Sequence, residues 1–159
     1  MTSFYRFSPL DSSGKPVDLS IYNGKVVLIV NSASKCGLSA QFAELETLWQ
    51  SYKDSGLVVL AFPCNQFGAL ELKTDELTNE YVRSKYDVTY PIMKKVQVNG
   101  SNADPLFEWL KSQKSGKLGF KGIKWNFEKF LLDRNGNVVG RYECYKSPLA
   151  LDPQIKKLL

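Results

Sequence analysis

An amphipathic stretch lies between two unbroken apolar runs, and that order leaves few topologies open to the chain. The first run, Val-Val-Leu-Ile-Val within Lys25–Asn31, is rich in β-branched residues on both faces. It reads as a buried central strand, entered from the turn dipeptide Asn23-Gly24. In Gln41–Lys53 the residues Phe42, Leu45, Leu48, Trp49 and Tyr52 recur at three- and four-residue intervals, which on a helix makes one apolar face. Leu57–Phe62 is the second run. A strand, helix and strand in this order cross over right-handed into a parallel pair.

The remaining elements surround that unit. Short strands near Phe4–Phe7 and Pro16–Leu19, joined by a turn at Ser13-Gly14, suggest an N-terminal β-hairpin. Thr74 can cap a helix running to about Tyr86, with Asp75 and Glu76 in its first turn and Leu77, Tyr81 and Val82 facing inward. Pro91 starts a strand through Val98, and Asp104–Lys114 forms a helix with Leu106, Phe107 and Leu110 on one side. Phe127–Arg134 and Asn137–Tyr142 flank Asn135-Gly136, a dipeptide suited to the left-handed torsions of a hairpin turn. A short helix from about Asp152 ends the chain. The pattern is α/β: a central mixed sheet flanked by helices. The 159 residues suffice for one domain, 1–159, and fall short of two.

Composition narrows the chemistry. There is no histidine, which removes Ser-His and Cys-His activation and imidazole metal ligation. The three cysteines, Cys36, Cys64 and Cys144, cannot all pair, and their spacing matches neither a disulfide framework nor a zinc ligand set. No acidic cluster suggests a metal and no glycine loop suggests a nucleotide, so no cofactor is assigned. The net charge of +5 is spread among acids, which reads as a solvated surface and not a nucleic-acid interface. No apolar run is long enough for a membrane-spanning helix, and the first residues lack a secretory pattern, so a cytoplasmic address is expected.

Cys36 lies in the Ser32–Ala40 connection between the buried strand and the strong helix. A sulfur near a helix N-terminus meets unpaired N–H groups and the positive end of the dipole, both of which favour thiolate, and Lys35 adds a charge. The competing reading is a small buried apolar residue. Cys36-Gly37-Leu38-Ser39 has the spacing of a redox dithiol motif with serine in place of the second cysteine, so dithiol exchange within the motif is excluded.

Three blocks resemble the glutathione peroxidase family. They are Lys25–Cys36 continued by Gly37, Ala61–Gly68 (Ala-Phe-Pro-Cys-Asn-Gln-Phe-Gly) and Ile123–Phe130 (Ile-Lys-Trp-Asn-Phe-Glu-Lys-Phe), in the family's order and spread over nearly the whole chain. The resemblance implies a thioredoxin-like fold, with Cys36 as a peroxidatic cysteine in place of selenocysteine. Trp125 and Asn126 are implied as its active-site partners, and an indole N–H and a carboxamide are suited to donate to a thiolate or a departing oxyanion. The short connection from Lys114 to Lys124 resembles the compact branch, which implies a monomer reduced by glutathione or thioredoxin and acting on hydroperoxides.

The chain departs from that family in two places. Leu70 stands where a tetrad glutamine is expected. A hydrogen bond to a charged group is worth roughly 1.5–3 kcal/mol, so its loss removes on the order of one to two pKa units of thiolate stabilisation, and attenuated activity follows. Gln66 is nearby but reads as a loop-holding residue. Tyr81-Val82 stands where the thioredoxin-dependent branch carries a resolving cysteine. The Cys36 sulfenic acid would then be returned by glutathione, another outside thiol, or an internal cysteine. Cys64 reads as structural and Cys144 as an inert thiol. Three readings remain open: a thiol peroxidase, a redox sensor passing oxidation to a partner, and a non-catalytic structural or binding domain.

Overall fold

The computed structural model describes residues 3–159. Four strands form one sheet: β1 (Val26–Ser32), β2 (Leu57–Pro63), β3 (Lys129–Leu132) and β4 (Val138–Tyr142), in the order β2-β1-β3-β4. β1 and β2 are parallel from Val26↔Leu57 to Ser32↔Pro63, joined by α1 (Gln41–Tyr52), as the apolar runs require. β3 lies antiparallel to β1, from Val27↔Leu132 to Val30↔Lys129, and pairs in turn with β4. The β3–β4 turn uses Gly136 at φ +79°, while Asp133 Oδ1 accepts the N–H groups of Asn135 and Asn137.

Every residue of β1 and β2 is buried because the sheet is covered on both faces. Val27, Ile29, Leu60 and Phe62 point to a core completed by Phe4, Phe7 and α3 (Pro105–Gln113). Val26, Leu28, Val30 and Val59 point the other way, to Phe42 and Leu45 of α1, Val82 of α2 (Asp75–Tyr86) and Ile155 of α4 (Asp152–Leu158). Thr74 caps α2 by accepting the Leu77 N–H at 3.2 Å. The buried face of α2 is Thr78 and Val82, and Leu77 is exposed. Among the described residues no helix is long and apolar enough to cross a membrane.

The N-terminal β-hairpin does not form. Phe4–Arg6 and Leu19–Tyr22 are 3₁₀ turns, and the described residues between them make one β-bridge, Leu10↔Pro16, flanked by isolated backbone bonds from Val17 N–H to Pro9 C=O and from Leu19 N–H to Phe7 C=O. Pro9 and Pro16 bring no N–H to a ladder, and the Asp11 carboxylate takes the N–H groups of Ser13 and Lys15. Burial of Phe4 and Phe7 against Trp109 decides the backbone course instead. Pro91–Val98 likewise makes only the Ala61↔Ile92 and Asp11↔Met93 bridges, since Asp75 and Gln66 side chains accept the Lys95 and Val98 N–H groups.

Candidate active site

Three loops meet at one end of the sheet: the one leaving β1, the one leaving β2 and the one entering β3. Antiparallel pairing of β1 with β3 brings the last of these beside the first two. After Ser32 the chain runs through successive turns, Ser39 N–H to Cys36 C=O at 3.0 Å and Phe42 N–H to Ser39 C=O at 3.0 Å, and merges into α1. The Cys36 sulfur accepts the Leu38 N–H at 3.4 Å, the bond an N-cap side chain makes to the amide two residues on. Cys36 is 3% exposed and packs in the cluster that holds Phe42, Val82 and Phe127. Lys35 places its ammonium 4.1 Å above the Tyr81 ring.

A buried carboxylate that sequence reasoning missed holds this turn in place. Glu71 accepts the Ser34 N–H and hydroxyl, at 3.2 and 2.6 Å, the Thr78 hydroxyl at 3.0 Å and the Leu72 N–H at 2.7 Å. Its own N–H goes to Asn65 Oδ1 at 3.0 Å, and Lys35 N–H donates to the Leu70 carbonyl at 2.9 Å. The β1 turn, the β2 loop and α2 are thereby fastened together. An acid flanked by two leucines, Leu70 and Leu72, is the only signal the sequence offers for this role.

Asn31 does the same on the other side and was also missed. Its Nδ2 donates to the Trp125 carbonyl at 3.0 Å, its Oδ1 accepts the Glu128 N–H at 3.1 Å, and its backbone carbonyl accepts the Phe127 N–H at 2.6 Å. These bonds hold Phe127 at φ +68°, a torsion rare for a bulky residue. A polar residue closing an apolar strand was the available sign.

Trp125 is partly exposed, beside Phe67 at 6.1 Å between ring centroids. Asn126 is fully buried, and its Nδ2 donates to the Phe67 carbonyl at 3.2 Å while its Oδ1 has no hydrogen-bond partner among the described residues. Gly68, at φ +76°, lies between Trp125 and Leu70: a methyl there would sit 3.1 Å from the indole and 3.3 Å from Leu70 Cδ1. The structure thus brings Trp125, Asn126 and Leu70 to the end of the sheet that carries Cys36. The one hydrogen bond to the sulfur among the described residues comes from Leu38.

The other thiols lie elsewhere. Cys64 is fully buried in the core on the opposite face of the sheet from Cys36, and burial pushes its thiol pKa up. Gln66 accepts the Val98 and Asn99 N–H groups, the loop-holding role its sequence position suggests. Cys144 is partly exposed in the loop after β4, and all three cysteines are unpaired. Among the described residues no group of three acidic or cysteine side chains could hold a metal ion.

The family model described as Glutathione peroxidase matches residues 4–111. Glutathione peroxidase-like peroxiredoxin 2 of Saccharomyces cerevisiae is 55% identical over 158 residues, covering 99% of this chain and 98% of that protein. The crystal structure of Trgpx in apo form superposes with a TM-score of 0.84 at 43% identity, over 99% of this chain and 96% of the other. A thioredoxin-family thiol:disulfide interchange protein from Chlorobium tepidum, with a TM-score of 0.71 at 19% identity over 96% and 92% of the two chains, shares the fold alone. A thioredoxin-like sheet that ends in a cysteine turn, matched over 99% of the chain by a relative 55% identical, leaves one conclusion: the chain belongs to the glutathione peroxidase family.

Proposed function

We propose that the thiol-peroxidase activity of this chain runs through Cys36. The observation that carries the reading is the seat of its sulfur, in a turn between a central strand and a helix, accepting a backbone N–H. The Cys36 thiolate attacks the terminal oxygen of H2O2 or an organic hydroperoxide, the O–O bond breaks, and protonation of the departing oxygen yields water or alcohol. The product on the enzyme is Cys36 sulfenic acid. A thiol then displaces its hydroxyl as water, and a second thiol opens the resulting disulfide, with glutathione or thioredoxin as the reductant.

Trp125 and Asn126 serve as neutral groups that assist charge at the sulfur and at the departing oxygen. Support comes from their place at the same end of the sheet, and Asn126 Nδ2, which gives one N–H to the Phe67 carbonyl, has a second to donate. Every group invoked belongs to one chain and one domain, so a monomer suffices. Three unpaired cysteines suit a reducing compartment such as the cytosol.

A redox-sensor reading draws on the slight exposure of Cys36, which limits peroxide access, and on Leu70, which has no donor to offer the thiolate. Peroxide consumption with glutathione and with thioredoxin separates the two. Continuous turnover that Cys36→Ser abolishes supports the peroxidase, whereas a single slow oxidation without turnover supports the sensor. Turnover surviving Cys36→Ser removes this assignment altogether.

A further inference from the structure

We propose that Cys144 is the internal thiol that resolves oxidised Cys36, a role resting on the peroxidase reading above. Val82, fully buried on α2, offers no sulfur. Cys64 is fully buried and belongs to the core across the sheet from Cys36. Cys144 is on the same side as Cys36: Tyr142, two residues before it, packs on the cluster that contains Cys36.

The loop carrying Cys144 is tied to the start of α1, the helix that the Cys36 turn enters. Gln41, first residue of α1 and five after Cys36, donates from Nε2 to the Cys144 carbonyl at 2.8 Å. Glu44, one turn further, accepts the Ser147 hydroxyl. Gln41 is 5% exposed, and its Oε1 has no partner among the described residues, an unused acceptor at the contact between the two cysteine segments.

Beside the same loop lies a buried cation that the peroxidase chemistry does not use. Lys129 is fully buried, and its ammonium donates to the carbonyls of Glu143, Cys144 and Lys146 at 3.4, 3.0 and 2.6 Å. Burial pushes the Cys144 thiol pKa up, and the Lys129 charge offsets only part of that rise.

A disulfide needs Cα atoms roughly 4.4–6.8 Å apart, so joining two free cysteines calls for movement of one segment. The Cys144 loop is held by side chains of Gln41 and Lys129 and not by a strand ladder, and a cavity of ≈ 320 Å³ lined by Glu143, Tyr145 and Lys146 opens beside it. The Cys144 sulfur attacks the sulfenic sulfur of Cys36, the S–O bond breaks as the S–S bond forms, and the hydroxyl leaves with the thiol proton as water. An outside dithiol then reduces the bridge and is itself oxidised.

The test treats the reduced full-length protein with one equivalent of H2O2, blocks remaining thiols and maps disulfides by mass spectrometry. A dimedone trap for sulfenic acid runs in parallel. The expected result is a Cys36–Cys144 disulfide in the wild type. In Cys144→Ser, dimedone-reactive Cys36 should persist at least about tenfold longer. Wild-type mapping needs no variant, so a folding defect in Cys144→Ser cannot mask the outcome. A Cys36–Cys64 bridge, or equal sulfenic lifetimes in the two proteins, overturns the proposal and leaves the peroxidase reading standing. Absence of any dimedone adduct or disulfide at Cys36 in both proteins overturns both.

Discussion

Leu70 delivers its carbonyl to Lys35, next to Cys36, while its side chain lies across Gly68 from the Trp125 indole. The backbone contact survives any side chain, but the apolar side chain brings no donor to this end of the sheet. Leu70→Gln supplies one, and a bond to a charged group worth roughly 1.5–3 kcal/mol predicts a rate of Cys36 oxidation about ten- to a hundredfold higher. Rapid-mixing measurement with H2O2 at neutral pH checks this, and an unchanged rate would show that the position does not act on the sulfur. The blocks that carry Cys36, Leu70, Trp125 and Asn126 were legible through their resemblance to the family, and the fold brings those blocks to one end of the sheet. The parts played by Asn31 and Glu71 were not legible. Their roles exist only as bonds to residues up to 97 positions away, and nothing local distinguishes them from ordinary polar residues.

At the scale of elements, Glu71 is the fastener between the Cys36 turn and α2. Glu71→Ala leaves the Ser34 N–H and hydroxyl, the Thr78 hydroxyl and the Leu72 N–H without their acceptor. At about 1–3 kcal/mol for each buried group left unsatisfied, partly relieved by entering water, a loss of roughly 3 kcal/mol is expected. Urea denaturation measures it, and a loss under about 1 kcal/mol would show that the fastener carries little. Asn31→Ala acts on the other fastener. It frees the Trp125 carbonyl and the Glu128 N–H, so turnover should fall by at least about tenfold through misplacement of the Trp125–Asn126 loop. Unaltered turnover in a folded Asn31→Ala protein would remove that loop from catalysis. Helices and buried strands were readable because periodicity records which face is covered. The N-terminal hairpin was misread because prolines and an aspartate side chain remove the ladder bonds that its alternation suggested.

Burial of the Lys129 charge works against the fold, lowering its pKa from 10.5 to about 8 against the opposing pull of Cys144, Glu44 and Glu128. Between those two pH values the unfolded chain holds a proton that the folded chain lacks, so this residue's contribution makes stability rise with pH through the window. Lys129→Met removes that dependence. The stability difference between wild type and variant should shift in favour of the wild type, by on the order of 3 kcal/mol from pH 8 to pH 10.5, on top of a constant offset from the lost hydrogen bonds. Urea titrations of both proteins across that range check it, and parallel curves would mean that the lysine titrates normally. Periodicity and turn chemistry are local properties, so residue order alone sets the parallel β1–α1–β2 unit, the β3–β4 hairpin and the place of Cys36 after β1. Three-dimensional packing sets which polar side chains clamp the cysteine turn, puts Cys64 across the sheet from Cys36, and rests the Cys144 loop against the start of α1. Those facts depend on which distant segments share a layer, and a chain read one residue after another does not carry that information.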